Sequence, residues 1–444
     1  MRAATARRQP ERRKLDKLVK ICTREGCART DILCGVYVCL RLGLSIALLL
    51  TACGGQRVEP ETEAAAAPSA PQRLHVLGAF LEAHWQLPLA LQGEPPAGFS
   101  ELDRSLDPAV CGACHPEQYA AWRTSLHAAA YSPGFSGQLI EGALADPVEV
   151  RACQRCHAPL GEQQPYNRLG GPEASFDPAL RGQGIVCAAC HVRNHRRFGP
   201  PRRAALPALL EPPPHGGFEP RGEFQESRFC APCHQFFDDP GINGKPLENT
   251  FVEWQRSPQA AAGRQCQDCH MPDRSHRWRG IHDPEWVRRA IDVDLIPTDL
   301  SGRRLEAALV LRNRDVGHAF PTYVTPRVQL VVYQVGAAGK ELDATRLEAS
   351  IGREVDLAAQ VEIFDTRVLP GESVKLDYSL ARAPGATALL ARVSVDPDFH
   401  YRAVFDLLLE SLEDASARAQ IEEARRRISD STYILAEIRL PLSD

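Results

Sequence analysis

The chain has 444 residues, 44% of them hydrophobic, and a formal net charge of −4. That length accommodates two or three domains, the composition excludes a globally disordered chain, and the acidic balance argues against nucleic acid as a partner. Cysteine is abundant, with 15 residues, and methionine nearly absent, with two.

In chain order, the first feature is a targeting segment. Residues 42–50 form a short apolar run behind Arg41, followed by Thr51, Ala52 and Cys53. A basic flank, a short apolar run and small residues are the parts of a signal peptide, and the run is too short to span a bilayer alone. Leu50-Thr51-Ala52-Cys53 resembles a bacterial lipobox, which implies cleavage before Cys53 and a lipid on its sulfur. The basic stretch 1–34, with Cys22, Cys27 and Cys34, precedes the point where such a signal would begin. It points to a start codon assigned too far upstream. Residues 1–53 hold 11 Lys/Arg and 4 Asp/Glu, so the chain without them carries −11.

Residues 54–72, rich in Ala, Glu and Pro, read as a flexible tether. Residues 73–290 hold ten cysteines and much Pro and Gly, with few long periodic segments. From 291 to 444 cysteine vanishes. Alternating apolar runs at 304–312, 327–335, 359–364, 373–379, 388–395 and 433–440 predict short strands of an antiparallel sandwich. Residues 403–428 predict one amphipathic helix between the last two runs. The expected class is therefore α+β: a mostly helical, loop-rich domain followed by a β-sandwich.

The chemistry is concentrated in the first half. Five Cys-x-x-Cys-His motifs occur, with ligating triplets Cys111/Cys114/His115, Cys153/Cys156/His157, Cys187/Cys190/His191, Cys230/Cys233/His234 and Cys266/Cys269/His270. This is the attachment signature of c-type haem. Two thiols three positions apart reach the two vinyl groups of one porphyrin, and the following His supplies the proximal nitrogen to iron. A Cys-x-x-Cys pair can also bind zinc or act as a redox dithiol, but neither needs His directly after the second cysteine. All ten cysteines beyond Cys53 are used. Five covalent haems along about 160 residues leave too little protein to wrap each one separately. The haems are expected to pack together as the core.

Beyond residue 53 the only Met is Met271, next to proximal His270 and badly placed for the opposite face of that haem. Bis-His iron and low potentials are therefore expected. Among the remaining histidines, His127 sits after Trp122 on a predicted helix. It is too far along from His115 to share its haem. His276 and His282 follow the last motif, His215 follows Pro212-Pro213-Pro214, and His318 lies in the β half. These five are the distal candidates. His195 and His400 stand in reserve, and His75 and His84, ahead of the first motif, are weaker.

The words around the motifs resemble those of the multihaem cytochromes of the cytochrome c-552/4 (c-554-like) domain family. The carrying residues are Trp122-x-x-Ser125-x-His127, Phe229-Cys230-Ala-Pro-Cys233-His234-Gln235, Phe251-Val-Glu253-Trp254, Cys266-Gln-Asp-Cys269-His270-Met271-Pro272 and Gly317-His318-Ala-Phe320-Pro321-Thr322. The resemblance covers roughly residues 108–330. It implies periplasmic electron transfer through bis-His haems, with His127, His276 and His318 similar to the family's distal ligands. The favoured expectation is an exported, membrane-anchored pentahaem carrier serving other redox proteins or a membrane electron-transfer complex. The alternative is an oxidoreductase acting on a small nitrogen or sulfur compound at a five-coordinate haem. No Cys-x-x-Cys-Lys occurs, which counts against the lysine-ligated route of nitrite reductases. A third role, a scaffold in which the β half binds a partner, could coexist with the first.

Overall fold

The computed structural model describes residues 70–143, 147–203, 214–237, 241–356 and 359–443. Cys53, the apolar run 42–50 and residues 54–69 of the expected tether lie outside them. The tether expectation reached residue 72, but a helix, α1 (Ala70–His84), already begins at Ala70 and is interrupted at Gly78.

The first half is built from short pieces. Besides α1 its longer helices are α2 (Pro116–Trp122), α3 (Pro133–Ala143) and α4 (Pro147–His157). The remaining helices span three to six residues. Proline at the first turn and side-chain caps start several of them. Asp107 accepts from Ala109 N–H ahead of the first motif, and Asp283 accepts from Trp286 N–H after the last. Such caps satisfy amide donors that a short helix cannot satisfy itself. The buried apolar residues are Leu77, Leu81, Trp85, Trp122, Leu160, Val186 and a few neighbours, spread thinly among the motifs. The helix expected to carry His127 stops at Trp122; Ser125 N–H bonds back to Trp122 O, and the chain turns before His127.

The helical half ends at Arg288, and the second half starts at Ile291. Its strands are β1 (Ile291–Asp299), β2 (Arg304–Asn313), β3 (Arg327–Gly336), β4 (Leu347–Ile351), β5 (Arg353–Asp356), β6 (Val361–Asp365), β7 (Ser373–Ala381), β8 (Ala386–Asp396) and β9 (Tyr433–Pro441). One sheet has the order β7-β2-β1 and the other β9-β8-β3-β4, with β5-β6 as a separate ribbon. All these pairings are antiparallel, with Leu376 opposite Leu309 in one sheet and Ala391 opposite Val332 in the other. The inner faces meet in one core: Leu305, Leu309 and Leu311 from β2 lie against Val328, Leu330, Leu389 and Val393. The fold is thus α+β, with a sandwich as its second part.

Three strands, β1, β4 and β5, were not anticipated. In β1 the signal was present, since Ile291, Val293 and Leu295 alternate with Asp292 and Asp294. The expected helix 403–428 is two helices, α5 (Phe399–Ser411) and α6 (Ala415–Arg427). Leu412 leaves helical geometry and Asp414 caps the second helix by accepting from Ala417 N–H at 2.8 Å. The resulting hairpin packs against α3. Gly134 allows this contact, because a Cβ there would fall 2.5 Å from the Phe405 ring.

Candidate haem-binding site

Each motif sits where a helix ends or barely forms. The third and fifth are single-turn helices, Cys187–His191 and Cys266–His270. The second closes α4, and the fourth ends at His234. A single turn places both cysteines on one side with the histidine following. The thiols also bring motifs together, with Cys111 reaching Cys187, Cys156 reaching Cys233 and Cys230 reaching Cys266. Nine motif cysteines are free thiols.

The first motif stands apart in exposure. Cys114 is exposed, whereas the other eight free motif thiols, its partner Cys111 included, are half-buried. The reason is local. The helix Pro108–Gly112 ends before Cys114, and α2 starts only at Pro116, so Cys114 and the equally exposed His115 fall on the turn between two short helices. Cys114 N–H still bonds to Cys111 O at 3.2 Å and His115 N–H to the same oxygen at 2.9 Å, which keeps the one-turn spacing that attachment needs. The first motif therefore lies at the rim of this half of the chain.

The imidazoles follow a common pattern. Nδ1–H donates to a backbone carbonyl from His157 (Ala130 O, 2.8 Å), His191 (Phe198 O, 2.8 Å) and His270 (Arg279 O, 2.7 Å). The same holds for His215 (Gly217 O, 2.8 Å), His276 (Arg274 O, 2.9 Å) and His318 (Ala319 O, 2.9 Å). A proton fixed on Nδ1 turns the lone pair of Nε2 outward, as metal-ligating histidines require. Burial, together with neighbouring imidazoles, lowers His127 to about 3 and His191 and His270 to about 4. They are therefore neutral, the form that binds a metal.

Three pairs of these rings face one another. Centroids are 6.3 Å apart for His127 and His234, 6.2 Å for His191 and His276, and 6.3 Å for His270 and His318, the last pair within 10° of parallel. With metal–nitrogen bonds of about 2 Å and ring centres roughly 1 Å behind each nitrogen, two imidazoles on opposite sides of one metal sit about 6 Å apart. His115 is lowered by burial first and then by the charge of nearby His215. His157 differs: its ring stacks on Phe135, at 4.0 Å and 12°.

The other histidines are engaged elsewhere. His84 and His195 use Nε2 to bond Cys190 O (2.9 Å) and Gly93 O (2.8 Å). His282, a distal candidate by sequence, commits Nε2 to the Asp398 carboxylate at 3.1 Å, so the geometry does not place it as a ligand. Its closeness in sequence to the last motif was misleading, because the chain between carries it toward the β half. His400 faces Glu354.

The surroundings position the distal side chains. Gly184 (φ 65) lets the backbone pass the His127 carbonyl, where a Cβ would lie at 2.6 Å, and Ile185 N–H bonds that carbonyl at 2.9 Å. His318 is held by two residues. Buried Asn313 donates to His318 O at 3.0 Å, and Glu253 accepts from Ala319 N–H at 3.1 Å while paired to Arg367. Sequence reasoning missed Asn313 as a support, since nothing local marks it, and gave Glu253, within the family-like stretch Phe251-Val-Glu253-Trp254, no such role. A cavity of about 400 Å³ at the fifth motif is lined by Cys269, His270, Arg277, Arg279, Trp286 and Arg289. Guanidinium groups there suit the carboxylates that haem carries. Thiols, neutral imidazoles, facing pairs and this cavity all fit covalently attached haem.

Residues 110–192 match the family described as cytochrome c554 and c-prime. No curated protein matches the sequence. Among solved structures, the fold is similar to a penta-heme cytochrome c552 from Thermochromatium tepidum. The TM-score is 0.55 and the identity 20%, over 77% of this chain and 100% of that one. The matched segment contains the first three motifs, so residues 110–192 resemble the cytochrome c554 family, and the fold as a whole resembles that of a penta-heme cytochrome c552.

Proposed function

We propose that the chain carries five covalent c-type haems and relays electrons between redox partners through mainly bis-His, low-potential iron. The observation that supports this most directly is the set of three imidazole pairs with centroids 6.2–6.3 Å apart. On this reading His234 and His127, His191 and His276, and His270 and His318 each share one iron, and His115 pairs with His215. Haem supplies reversible one-electron storage. The protein fixes the Nδ1–H bonds that aim each Nε2, keeps the imidazoles neutral by burial, and brings the motifs close enough for tunnelling. The exposed first motif, with Cys114 and His115 at the rim, is where electrons would enter or leave. The pair formed by His318 would join the β half to the haem half through a metal bond.

The same reading places the protein outside the cytoplasm, anchored through a lipid on Cys53 and serving other redox proteins or a membrane electron-transfer complex. Among the described residues no helix is long and apolar enough to cross a membrane. Intact mass tests the count of five haems, and a mass short by one haem refutes it. Loss of membrane retention in Cys53→Ala tests the anchor.

A second reading is favoured by His157. Among the described residues no histidine ring pairs with it, and its stacking partner is Phe135. The haem of the second motif would then be five-coordinate and open to a small nitrogen or sulfur compound. Low-temperature magnetic circular dichroism and spin-resonance spectroscopy separate the readings: five low-spin sites support a pure carrier, and one high-spin site supports an open iron.

A further inference from the structure

Residues 178–210 contain six arginines and no acidic residue. Five of the six fall within 193–203, on and just after a hairpin in which Val192 pairs with Arg197 and Arg193 with Arg196. The chain as a whole is acidic, so this stretch concentrates the opposite charge in one place.

Contacts tie the stretch to the imidazole pair of the third motif. Phe198 O accepts from His191 Nδ1–H at 2.8 Å, and Arg196 lies over the Phe198 ring at 5.4 Å. Arg202 lies over the Phe218 ring at 5.1 Å, and a Cβ on Gly199 would touch both Phe218 and His191, at 3.7 and 3.9 Å. The facing ring is tied to the same stretch. Arg274 O accepts from His276 Nδ1–H at 2.9 Å, and the Arg274 guanidinium donates to Pro201 O at 2.7 Å. Arg203 reaches Asp273 at 3.6 Å. The first motif borders the stretch as well: Arg197 donates to Asp103 O at 2.7 Å, and the Asp103 carboxylate accepts from His215 N–H at 2.7 Å.

The arginines nevertheless face water. The side chains of Arg196 and Arg203 keep 63% and 61% of their surface, and Arg202 is exposed. Among the described residues, the carboxylates paired with Arg196, Arg202, Arg203, Arg221 and Arg274 are Glu219 and Asp273. Five guanidiniums therefore share two carboxylates, and Asp273, almost fully exposed, holds Arg203 only weakly.

We propose that this arginine face, beside the His191 and His276 pair, is a docking surface for an acidic redox protein. It rests on the reading that the chain relays electrons through bis-His haems, and it names the charge of the partner and the haem it meets. A guanidinium fork matches the two oxygens of a carboxylate on a partner surface. Opposite charge speeds encounter more than it tightens the complex. That suits a carrier, which must bind, pass one electron and leave. The electron moves between the partner's cofactor and a haem iron, and no bond forms or breaks.

The test uses the full haem-loaded protein in its oxidised form and two reductants of opposite charge. One is reduced flavodoxin, an acidic one-electron protein, and the other is the methyl viologen radical, a small cation. Each gives up one electron, and one ferric haem becomes ferrous. The net charge of the chain repels flavodoxin, so only a local positive face attracts it. Reduction of the wild type by flavodoxin, followed by stopped-flow absorption, should therefore slow as salt is added. Arg202→Glu combined with Arg203→Glu should slow it about tenfold at low salt, with haem absorption and spin-resonance signals unchanged. Lys340→Glu combined with Lys375→Glu makes the same change in net charge on the β half and should alter the rate less than about twofold. Reduction by methyl viologen should slow in neither double variant. Flavodoxin reduction that speeds up with salt, or that responds equally to both double variants, overturns the face alone. A shifted haem potential with an unchanged flavodoxin rate in the arginine variant also overturns it and assigns these arginines to the haem's own carboxylates. Slow reduction of the wild type by both reagents overturns the relay reading and the face with it.

Discussion

The haem half and the β half solve the same problem with different materials. In the β half, strands of four to eleven residues alternate inward and outward, and Leu305, Leu309, Leu311, Val328 and Leu330 are all fully buried in one shared core. In the haem half most helices are single turns, and the apolar residues are interleaved with histidines and thiols. Short helices are not stable by themselves, so this half depends on what its motifs hold. One half is specified by periodic burial, and the other by ligands spaced along a chain that otherwise has little core.

That contrast predicts the largest effect for loss of haem. Replacing Cys153 and Cys156 by Ala should remove one attachment point and leave residues around α3 and α4 open to proteolysis, while the β half stays resistant. Limited proteolysis with mass mapping checks this, and equal cleavage of both halves would break the comparison. Next comes the bolt between the halves. Buried Arg353 donates to the carbonyls of Ile242, Lys245 and Pro246 in the haem half and pairs with Glu362 in the β half. Arg353→Ala should cost about 1–3 kcal/mol, because it takes the donor from the buried Pro246 carbonyl and one of two cations from Glu362, which keeps Lys245 and Asn243. Denaturant unfolding should then show two transitions instead of one.

Leu309→Ala, in the centre of the sandwich, should cost about 2–5 kcal/mol by creating a cavity in a packed core. This loss should appear in the β transition and leave haem spectra unaltered, sharpening the separation of the halves. The same interface has an acid limit. Burial raises Asp365, but Arg367 and Lys245 more than reverse this and hold its carboxyl well below the usual carboxylate range. Its contribution is present above the unfolded value of about 3.9 and fades as pH falls toward the folded one. Docking followed by small-angle scattering should therefore hold from neutrality down to about pH 4 and weaken below it. The smallest effect is expected for Trp122→Phe, which removes a 2.8 Å bond to Ile185 O beside His127 and should cost about 1 kcal/mol. Thermal melting of the haem half measures it.

Much of this was legible in the residues themselves. The five motifs are local, because thioether attachment needs two thiols and a histidine within one turn, so sequence alone names all fifteen positions. It does not say how deep each one lies: Cys114 carries the same motif as Cys190 or Cys233, yet only the break between two short helices leaves it at the surface. The β half was legible for a similar reason: side-chain direction in a strand repeats every two residues, so Leu305, Ala307, Leu309 and Leu311 announce their buried face. The split at Leu412 was not, because α5 and α6 share one apolar pattern and only the Asp414 cap divides them.

Facing ligands belong to another class of information. His127, His215, His276 and His318 could be proposed as candidates, but which ring meets which depends on how the chain folds back across 48 to 107 residues. No sequence period records such a distance. His282 shows the limit most directly: by spacing it was as good a candidate as His276, yet the turn at 279–283 sends it to Asp398 and leaves His276 opposite His191. Likewise Asn313 and Arg353 are ordinary polar residues in the sequence and become supports only where the two halves meet. Haem attachment was therefore determined by the sequence, because it is covalent chemistry within one turn. Which imidazole rings face one another, and how the β half packs against the first half, were decided by tertiary packing, because both depend on backbone brought together from distant parts of the chain.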